Sequence, residues 1–561
     1  MDKRTEGSVI GHLVGWTALL ATLAVTPWSS YDPINLPKLA VIAVGGFIAL
    51  GALAANSKQF FPAKFRVLKL LALAFFIDLI LVLIISGTNT TQEFFGTNGR
   101  ATGFMAYASL CSLLVAAAVV ASQNILKSFS NVLLIAGGLS LGYGLIQAAG
   151  QDPIKWINQY SPVIGFLGNP NFESSFVALS AVLAFSIALS TGIKVAGRIG
   201  YFTYVLLALL VVEKTNSQQG FLVFAGGAAI VGLIWISKSR FKVLSIPSLL
   251  ISFIGLAMAT LGSLNSGPLA GLLYKDSVTY RGDYWRAGWN MALERPLFGV
   301  GLDSFGDWYR RTRTVEATVR RGPETISNAA HNVLIDFASN GGLPLLVIYL
   351  LLMILVIVSA VKLIKRNSGF DPVIVGLIAV WAAYQAQALI SLNQLGLAVW
   401  GWIISGLIIG YEINTRDIQT NERSDIKKGR TAAEKSGAKI DSRTLIGMFI
   451  GLLVGALAGL PPLVASTQFR SALQSGDQTR VINASRIFPQ DAYRTMQIVA
   501  ILYENKLMPQ ALVLTEEAVV RYPDSFDAWK VLAILPNASP SQIAEAKAQM
   551  KRLDPHNPTL Q

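Results

Sequence analysis

Charged residues are scarce in this chain. They make up 14% of its 561 residues, while 53% of the residues are hydrophobic, and a soluble globular protein carries roughly 25% charged residues. The mean hydropathy is +0.51, and many apolar runs reach the roughly 20 residues that a helix needs to cross a bilayer. The composition excludes an ordinary soluble domain and predicts an all-α polytopic membrane protein.

Cysteine and histidine are also rare. The single cysteine, Cys111, lies in an apolar run, so no disulfide and no cysteine-based metal site can form within one chain. The sequence contains three histidines, no His-Glu-x-x-His pattern and no carboxylate cluster typical of a metal site. We therefore expect no metal and no other cofactor.

The apolar runs predict about thirteen membrane spans. In the first run Pro27 follows Thr26, where a signal-peptidase site needs small residues, so we expect an uncleaved helix. The spans define a transmembrane domain at 1–465 with a large loop at 263–341. The predicted spans are 9–27, 37–55, 66–86, 102–122, 131–149, 173–192, 199–213, 219–237, 244–262, 342–362, 372–392, 394–412 and 444–465.

Basic residues indicate the topology. The net charge of +14 could indicate nucleic-acid binding, but membrane proteins gather lysine and arginine in their cytoplasmic loops. Twenty-three basic residues fall in the loops of one side, and four fall in the short loops of the other. We therefore expect no nucleic-acid partner, a cytoplasmic N-terminus, a basic cytoplasmic loop at 413–443, and an extracytoplasmic large loop and C-terminus.

His331 is the candidate general base. His12 lies in the first span and His556 near the C-terminus, whereas His331 lies just before an apolar helix on the expected outer side. A lone histidine is more often structural, but Asn332 follows it and two glycines break the segment before the next span. The pKa of histidine suits it to take a proton from a hydroxyl group near neutral pH.

Arginine dominates the large loop. Its planar guanidinium suits phosphate oxygens. Arg281 and Arg286 stand among tyrosines and tryptophans, including Trp285, which stack on sugars and sit at membrane interfaces. For these two we favour substrate binding. For the arginines from Arg310 to Arg321 we favour a solvated or lipid-surface-binding patch.

Residues 466–561 differ from the rest because polar and apolar residues mix there with helical periodicity. Pro489, Pro523 and Pro555 recur at spacings of 34 and 32 residues, close to the tetratricopeptide period of about 34. We predict two to three helical hairpins on the outer face. Such a domain either binds a protein partner or packs over the large loop.

Several separated motifs resemble those of the O-antigen ligase and polymerase superfamily of bacterial envelope glycosyltransferases. Residues 96–103 are similar to its Gly-x-x-x-Arg-x-x-Gly element, and residues 165–172 to its glycine and Asn-Pro-Asn element. The stretch 281–305 resembles its Arg-x-x-x-Trp and Pro-Leu-Phe-Gly-Val-Gly-x-x-Ser-Phe elements. His331-Asn332 with Gly342 resembles its His-Asn-x9-Gly element. The resemblance covers about residues 90–415 and extends to the branch with a tetratricopeptide tail.

This resemblance implies a GT-C-like, metal-independent, inverting glycosyltransferase of the bacterial plasma membrane. The donor would be an undecaprenyl-pyrophosphate-linked glycan, and the acceptor a hydroxyl group of a glycan, lipid or protein. His331 would be the base, and Arg281 would hold the departing pyrophosphate. The implied substrate-binding residues are Arg100, Arg286, Asn332, Gln218, Asn169, Asn171 and Trp285.

Two departures from the family pattern concern the site. Gln218 stands where the family often has an arginine, and Pro344 stands near a position where the family has a further glycine. Other functions remain open on the residues alone. Asp78 is a carboxylate within a predicted span, and carboxylates inside the membrane are typical of transporters and flippases. No sequence repeat between the two halves of the chain supports that function. A protein O-oligosaccharyltransferase or an assembly scaffold built on the C-terminal helices are further alternatives.

Overall fold

The computed structural model describes residues 3–60, 62–156, 161–416 and 441–560. Every regular element in these ranges is a helix, which confirms the predicted all-α polytopic architecture. The predicted basic loop at 413–443 lies largely outside the described residues.

Apolar helices occupy all thirteen predicted span positions. Ten of them in the described ranges are long and apolar enough to cross a membrane, and three are shorter. The ten are Asn35–Ala55, Ala63–Ile85, Gln123–Ala148, Pro170–Ala188, Val195–Lys214, Gln218–Ser237, Lys242–Ser263, Val333–Arg366, Leu395–Asn414 and Ser442–Gly459. The shorter three are Gly7–Leu23, Phe104–Val120 and Pro372–Ala388.

The centre of the bundle is formed by the helices Phe104–Val120 and Leu395–Asn414, which are buried along almost their whole length. Trp400 is fully buried between Phe129 and Phe176, and its indole nitrogen donates to the Thr22 hydroxyl at 2.8 Å. The surrounding helices expose leucine and isoleucine side chains outward, as expected for a surface covered by lipid.

The helix Val333–Arg366 differs from the predicted span 342–362, because it begins about two turns earlier and is kinked. Gly342 has φ 79° inside it, and the loop Pro296–Gly301 packs against this kink. The amide of Leu343 donates to the Pro296 carbonyl at 2.8 Å, and the amide of Val300 donates to the Ser339 carbonyl at 2.8 Å. A Cβ on Gly342 would lie 2.6 Å from the carbonyl carbon of Leu297, so the glycine permits this close approach.

Residues 264–332, here called the long loop, carry helices of their own before the kinked helix begins. The longest is Asp276–Glu294, followed by Phe305–Thr312 and Val315–Arg321. Phe305 and Tyr309 pack with Ala287 and Met291 in a small apolar cluster. The long loop is therefore a folded unit, and its polar side chains have fixed neighbours.

The C-terminal helices from Pro461 to Leu553, here called the tail, pack in three consecutive pairs. Two apolar clusters hold them together. The first helix crosses the predicted domain boundary at 465/466. The predicted helical hairpins are thus present, and their assignment to the tetratricopeptide family stays a prediction. The pairs are Pro461–Ser475 with Gln478–Ala484, Ala492–Glu504 with Met508–Arg521, and Phe526–Ile534 with Pro540–Leu553.

The tail lies over the long loop. At this contact, the prediction of a solvated or lipid-binding arginine patch is wrong. Arg310 and Arg313 are 5% and 1% exposed. Arg313 binds the buried carboxylate of Asp554 through hydrogen bonds of 2.7 and 2.9 Å, and Arg311 pairs with Asp524 at 2.9 Å. These three arginines hold the tail in place; they do not form a solvated patch. Of the two expectations for the tail, packing over the long loop is observed.

Candidate functional site

One cavity of about 200 Å³ collects polar side chains from separate parts of the chain. We call it the site cavity. Five of the nine predicted site residues line it, although they are up to 231 positions apart in the sequence. These five are Arg100, Asn169, Asn171, Arg281 and His331.

His331 lies in the turn that leads into the kinked helix. Its φ of 53° is left-handed, a conformation that is uncommon for a residue with a side chain and is often found at functional sites. The next residue, Asn332, caps the helix by accepting from the amides of Leu334 and Ile335 at 3.0 and 3.3 Å. Asn332 therefore fixes where the helix starts, and it lies outside the lining of the cavity.

The imidazole of His331 stacks on the ring of Tyr284, with centroids 5.6 Å apart and planes 28° apart. Tyr284 is itself held from two sides. The guanidinium of Arg321 donates to its hydroxyl group and lies 5.0 Å from its ring centroid, and Tyr309 packs edge-on at 5.7 Å. This stack restricts the orientation of the imidazole.

The pKa of His331 is lowered from its ordinary value of 6.5 to about 4. Burial is the largest cause, and the positive charges of Arg281 and Arg100 add to it. The imidazole is consequently neutral at neutral pH, the form that accepts a proton. The two predicted catalytic residues, Arg281 and His331, line the same cavity.

Arg281 lies one helical turn before Tyr284 on the helix Asp276–Glu294, so the two side chains share a face. Its side chain lines the site cavity. Among the described residues, no carboxylate lies within ion-pair distance of this guanidinium. Burial lowers the pKa of Arg281, but a guanidinium stays protonated in proteins. Arg281 therefore offers an uncompensated positive charge at the cavity.

Arg100 also lines the cavity, but its charge is compensated. Its Nε lies 3.1 Å from Asp303, its Nη2 lies 3.8 Å from Asp336, and its Nη1 donates to the carbonyl of Asn328. Asp303 further accepts from the amides of Thr97 and Thr102 at 2.7 and 3.1 Å. Arg100 thus ties the turn before one span to the segment that precedes His331.

Asp303 and Asp336 were missed by the sequence analysis. Asp336 accepts from the amide of Ala330 at 2.8 Å, directly before His331. Asp303 has φ 56° and Ala101 has φ 57°. The ion-pair partner of Arg100 and the residue after Arg100 therefore share the left-handed conformation of His331. Asp303 occupies a variable position of the Phe-Gly-Val-Gly-x-x-Ser-Phe element, and a lone carboxylate there gives no signal of its pairing.

The two asparagines of the Asn-Pro-Asn element contribute both caps and cavity lining. Asn169 caps the helix Pro170–Ala188 by accepting from the amide of Asn171 at 2.9 Å. The amide oxygen of Asn171 accepts from the hydroxyl of Ser217 at 2.7 Å, and Ser217 caps the next helix but one. The element therefore aligns two helix starts beside the cavity.

Further polar side chains line the cavity that the sequence analysis did not select. They include Asn35, Asn328 and the segment Ser391–Gln394. The Nε2 of Gln394 is buried and has no hydrogen-bond partner among the described atoms, so it is available to a ligand. The one signal for this segment is its polarity between two apolar spans.

The other four predicted site residues lie outside the cavity lining. Arg286 is exposed, and Trp285 and Gln218 are half-buried, like Asn332. Their roles stay predictions. In the part of the chain that the structure describes, no group of three or more His, Cys, Asp or Glu side chains is placed to hold a metal ion.

Comparison with known proteins gives a match to one part of the chain. A family model described as O-Antigen ligase matches residues 202–350, a segment that contains Arg281 and His331 but not Arg100. No curated protein matches the chain. The match supports the same superfamily of membrane glycan ligases and polymerases that the sequence motifs resemble.

Proposed function

We propose that this protein is a metal-independent, inverting glycosyltransferase. It transfers a glycan from an undecaprenyl-pyrophosphate carrier to an acceptor hydroxyl group. The observation that carries the proposal is the site cavity, in which a neutral imidazole lies near a guanidinium that has no carboxylate partner among the described residues. The family match supports the class of reaction.

The acceptor oxygen attacks the anomeric carbon while His331 takes the hydroxyl proton. The bond from the anomeric carbon to the phosphate oxygen breaks, and the electron pair leaves with the pyrophosphate. The charge that develops there is stabilised by Arg281, because a fixed guanidinium needs no reorganisation at the moment of reaction. Arg100, which pairs with Asp303 and Asp336, positions the segment before His331. The amide groups of Asn171 and Gln394 orient the sugar or the phosphates.

Donor binding tunes the base. In the free protein, positive charges help to lower the pKa of His331 to about 4, which makes the imidazole a weak base. The pyrophosphate brings negative charge to Arg281, and this charge offsets the repulsion of a proton on His331. The pKa of His331 therefore rises when the donor is bound, and the base becomes stronger only when the leaving group is in place.

The reaction takes place at the outer face of a bacterial plasma membrane. The distribution of basic residues supports this placement, and the tail lies on the same side as the cavity because it packs on the long loop. The isoprenoid of the donor stays in the bilayer. The acceptor is a glycan, a lipid or a protein hydroxyl, and the exposed surface of the tail is available to a protein partner.

The test uses purified full-length protein in lipid nanodiscs with a polyprenyl-pyrophosphate glycan and candidate acceptors. Mass spectrometry should detect a product that contains acceptor and glycan, and the product should be absent with His331→Ala. The matched control is His12→Ala, which changes a histidine of the first helix and should keep wild-type turnover. Normal transfer by a well-inserted His331→Ala protein would remove the base assignment.

A further inference from the structure

A second space, which we call the tail cleft, lies between the tail and the membrane bundle. Its volume is about 60 Å³, on a measure by which one water needs about 10–15 Å³. It therefore has room for several waters or for a ligand the size of one sugar ring. Its polar lining includes Asn98 from the bundle side and Gln490, Asp491, Arg494 and Tyr522 from the tail side.

The tail cleft adjoins the site cavity. Asn98 lines the cleft and Gly99 lines the cavity, and likewise Leu36 lines the cleft and Asn35 the cavity. Consecutive Cα atoms lie about 3.8 Å apart, so a single layer of chain separates the two spaces at both points. The side-chain amide of Asn35 donates to the Gly99 carbonyl at 3.0 Å, which closes this thin wall. A glycan that extended from the cavity past this wall would therefore lie close to the cleft.

Two polar atoms of the cleft residues have no partner. The Nε of Arg494 and the hydroxyl of Tyr522 are buried and make no hydrogen bond of normal geometry among the described atoms, although the side chain of Thr495 lies near that hydroxyl. These side chains are 5% and 7% exposed. Buried polar atoms in folded proteins are nearly always paired with protein or with a ligand or water. Their placement around an open cleft indicates that something hydrogen-bonds there.

The chemistry of the lining favours a neutral, polyhydroxylated ligand. Tyr31, Phe95 and Phe469 supply aromatic rings, which suit the C–H faces of sugars. Asp491 and Arg494 carry opposite charges, so the lining offers no net positive charge to a phosphate. An aliphatic chain would leave the Nε of Arg494 and the hydroxyl of Tyr522 unsatisfied, at a cost of about 1–3 kcal/mol for each group. Sugar hydroxyl groups both donate and accept, so they suit both of these atoms.

We propose that the tail cleft is a subsite for one sugar ring of the glycan, remote from the bond that reacts. It rests on the proposed glycosyltransfer. The tail then has a function beyond covering the long loop, because it completes a binding surface that the bundle alone does not have. A glycan long enough to reach from the site cavity into the cleft is bound more tightly than a shorter one.

The first test measures binding, so that it does not depend on activity. The probe is the lipid-free oligosaccharide released by mild acid from the envelope glycan of the same cell, titrated into the full-length protein in nanodiscs. Ala492→Phe, which fills the cleft, and the double variant Tyr522→Phe with Gln490→Ala should each weaken binding about tenfold, the effect of roughly 1.4 kcal/mol. Tyr503→Phe, on the same tail but outside the cleft, should not change it.

The outcomes separate the subsite from the proposed function. Two results would overturn the subsite: equal binding of the probe by the wild type and both cleft variants, or no binding by the wild type. Either result would show that the tail cleft holds only water. In transfer assays the cleft variants should lose about tenfold in kcat/KM with a donor of several repeats and little with one repeat. His331→Ala should abolish transfer with both donors and should weaken probe binding less than the cleft variants do. A protein that binds the probe but transfers nothing would refute the proposed function alone.

Discussion

Arg281 and Arg313 belong to the same long loop and illustrate two uses of one side chain. Arg313 is 1% exposed and bound to the carboxylate of Asp554, so its charge is neutralised within the protein. Arg281 lines a cavity and has no carboxylate partner among the described residues. The aromatic neighbours of Arg281 predicted substrate binding, but nothing in the local sequence of Arg313 indicated a buried ion pair. The partner decides whether a guanidinium stabilises the fold or is available to an anion.

The largest expected effect concerns the paired arginine. Arg313→Gln removes the closer of the two guanidiniums that bind the buried Asp554, at 2.7 Å, and leaves only Arg310 at 3.4 Å. Breaking a buried ion pair costs about 3–5 kcal/mol. We expect early thermal unfolding of the tail and faster proteolysis between the tail and the bundle. The control is Arg486→Gln, which breaks an exposed pair with Glu517 and should cost about 1 kcal/mol or less. Equal stability of the two variants would show that Asp554 does not hold the tail.

The unpaired arginine should behave in the opposite way. Arg281→Gln removes a charge from the cavity, and loss of one such electrostatic donor lowers turnover about 10²–10³-fold. Its thermal stability should match that of the wild type, because no ion pair is broken. Arg480→Gln, an exposed arginine of the tail, serves as the control for loss of charge. If Arg281→Gln is less stable than the wild type but keeps normal turnover per folded molecule, Arg281 stabilises the fold and does not act on the substrate.

The same substitution should change the pH profile. In the proposed mechanism neutral His331 is the active form, so we expect kcat/KM to fall as the pH drops through the pKa of the free protein. Because this pKa is lowered to about 4, the wild type should keep its kcat/KM down to about pH 5. Arg281→Gln removes one cause of the lowering, and the acidic limb should move to higher pH. If the acidic limb of Arg281→Gln stays at the pH of the wild-type limb, Arg281 does not influence the pKa of His331.

The smallest expected effect concerns the ring that supports His331. An aromatic stack contributes about 0.5–1.5 kcal/mol, so Tyr284→Leu should lower kcat about 2- to 12-fold. Tyr284→Phe keeps the ring and loses only the hydroxyl that accepts from Arg321, so it should lose less. Steady-state kinetics of the two variants, at equal thermal stability, measures the difference. A larger loss with phenylalanine would assign the effect to the hydroxyl.

The sequence predicted the spans well because hydropathy is a local property, and helices occupy all thirteen predicted positions. It was wrong about the arginine run because the partners of Arg310 and Arg313 come about 240 residues later in the chain. No local pattern connects Arg313 with Asp554. The early start of the helix at Val333 was also missed, because its first turns carry the polar side chains of Asp336 and Asn340 and give no hydropathy signal of a span.

The candidate site was predicted in part. Residues within recognisable motifs, such as Arg281, His331 and Asn171, converge on one cavity. Asp303 and Asp336 were missed because a carboxylate that pairs with Arg100 has no sequence signature. Gln394 was missed because its role depends on the fold that brings a short polar break to the same cavity. Motifs thus led to residues that line one cavity, and the other residues around that cavity required the structure.

Chemical rescue tests the central claim most directly. His331 has φ 53°, a conformation that glycine adopts without strain, so His331→Gly should fold normally and leave a space for the missing ring. The single-turnover rate of transfer by this variant should fall about 10²–10⁴-fold. Added imidazole should raise the rate of the variant at least about tenfold. Imidazole should not rescue Arg281→Gln. Wild-type transfer by His331→Gly without imidazole would contradict the account.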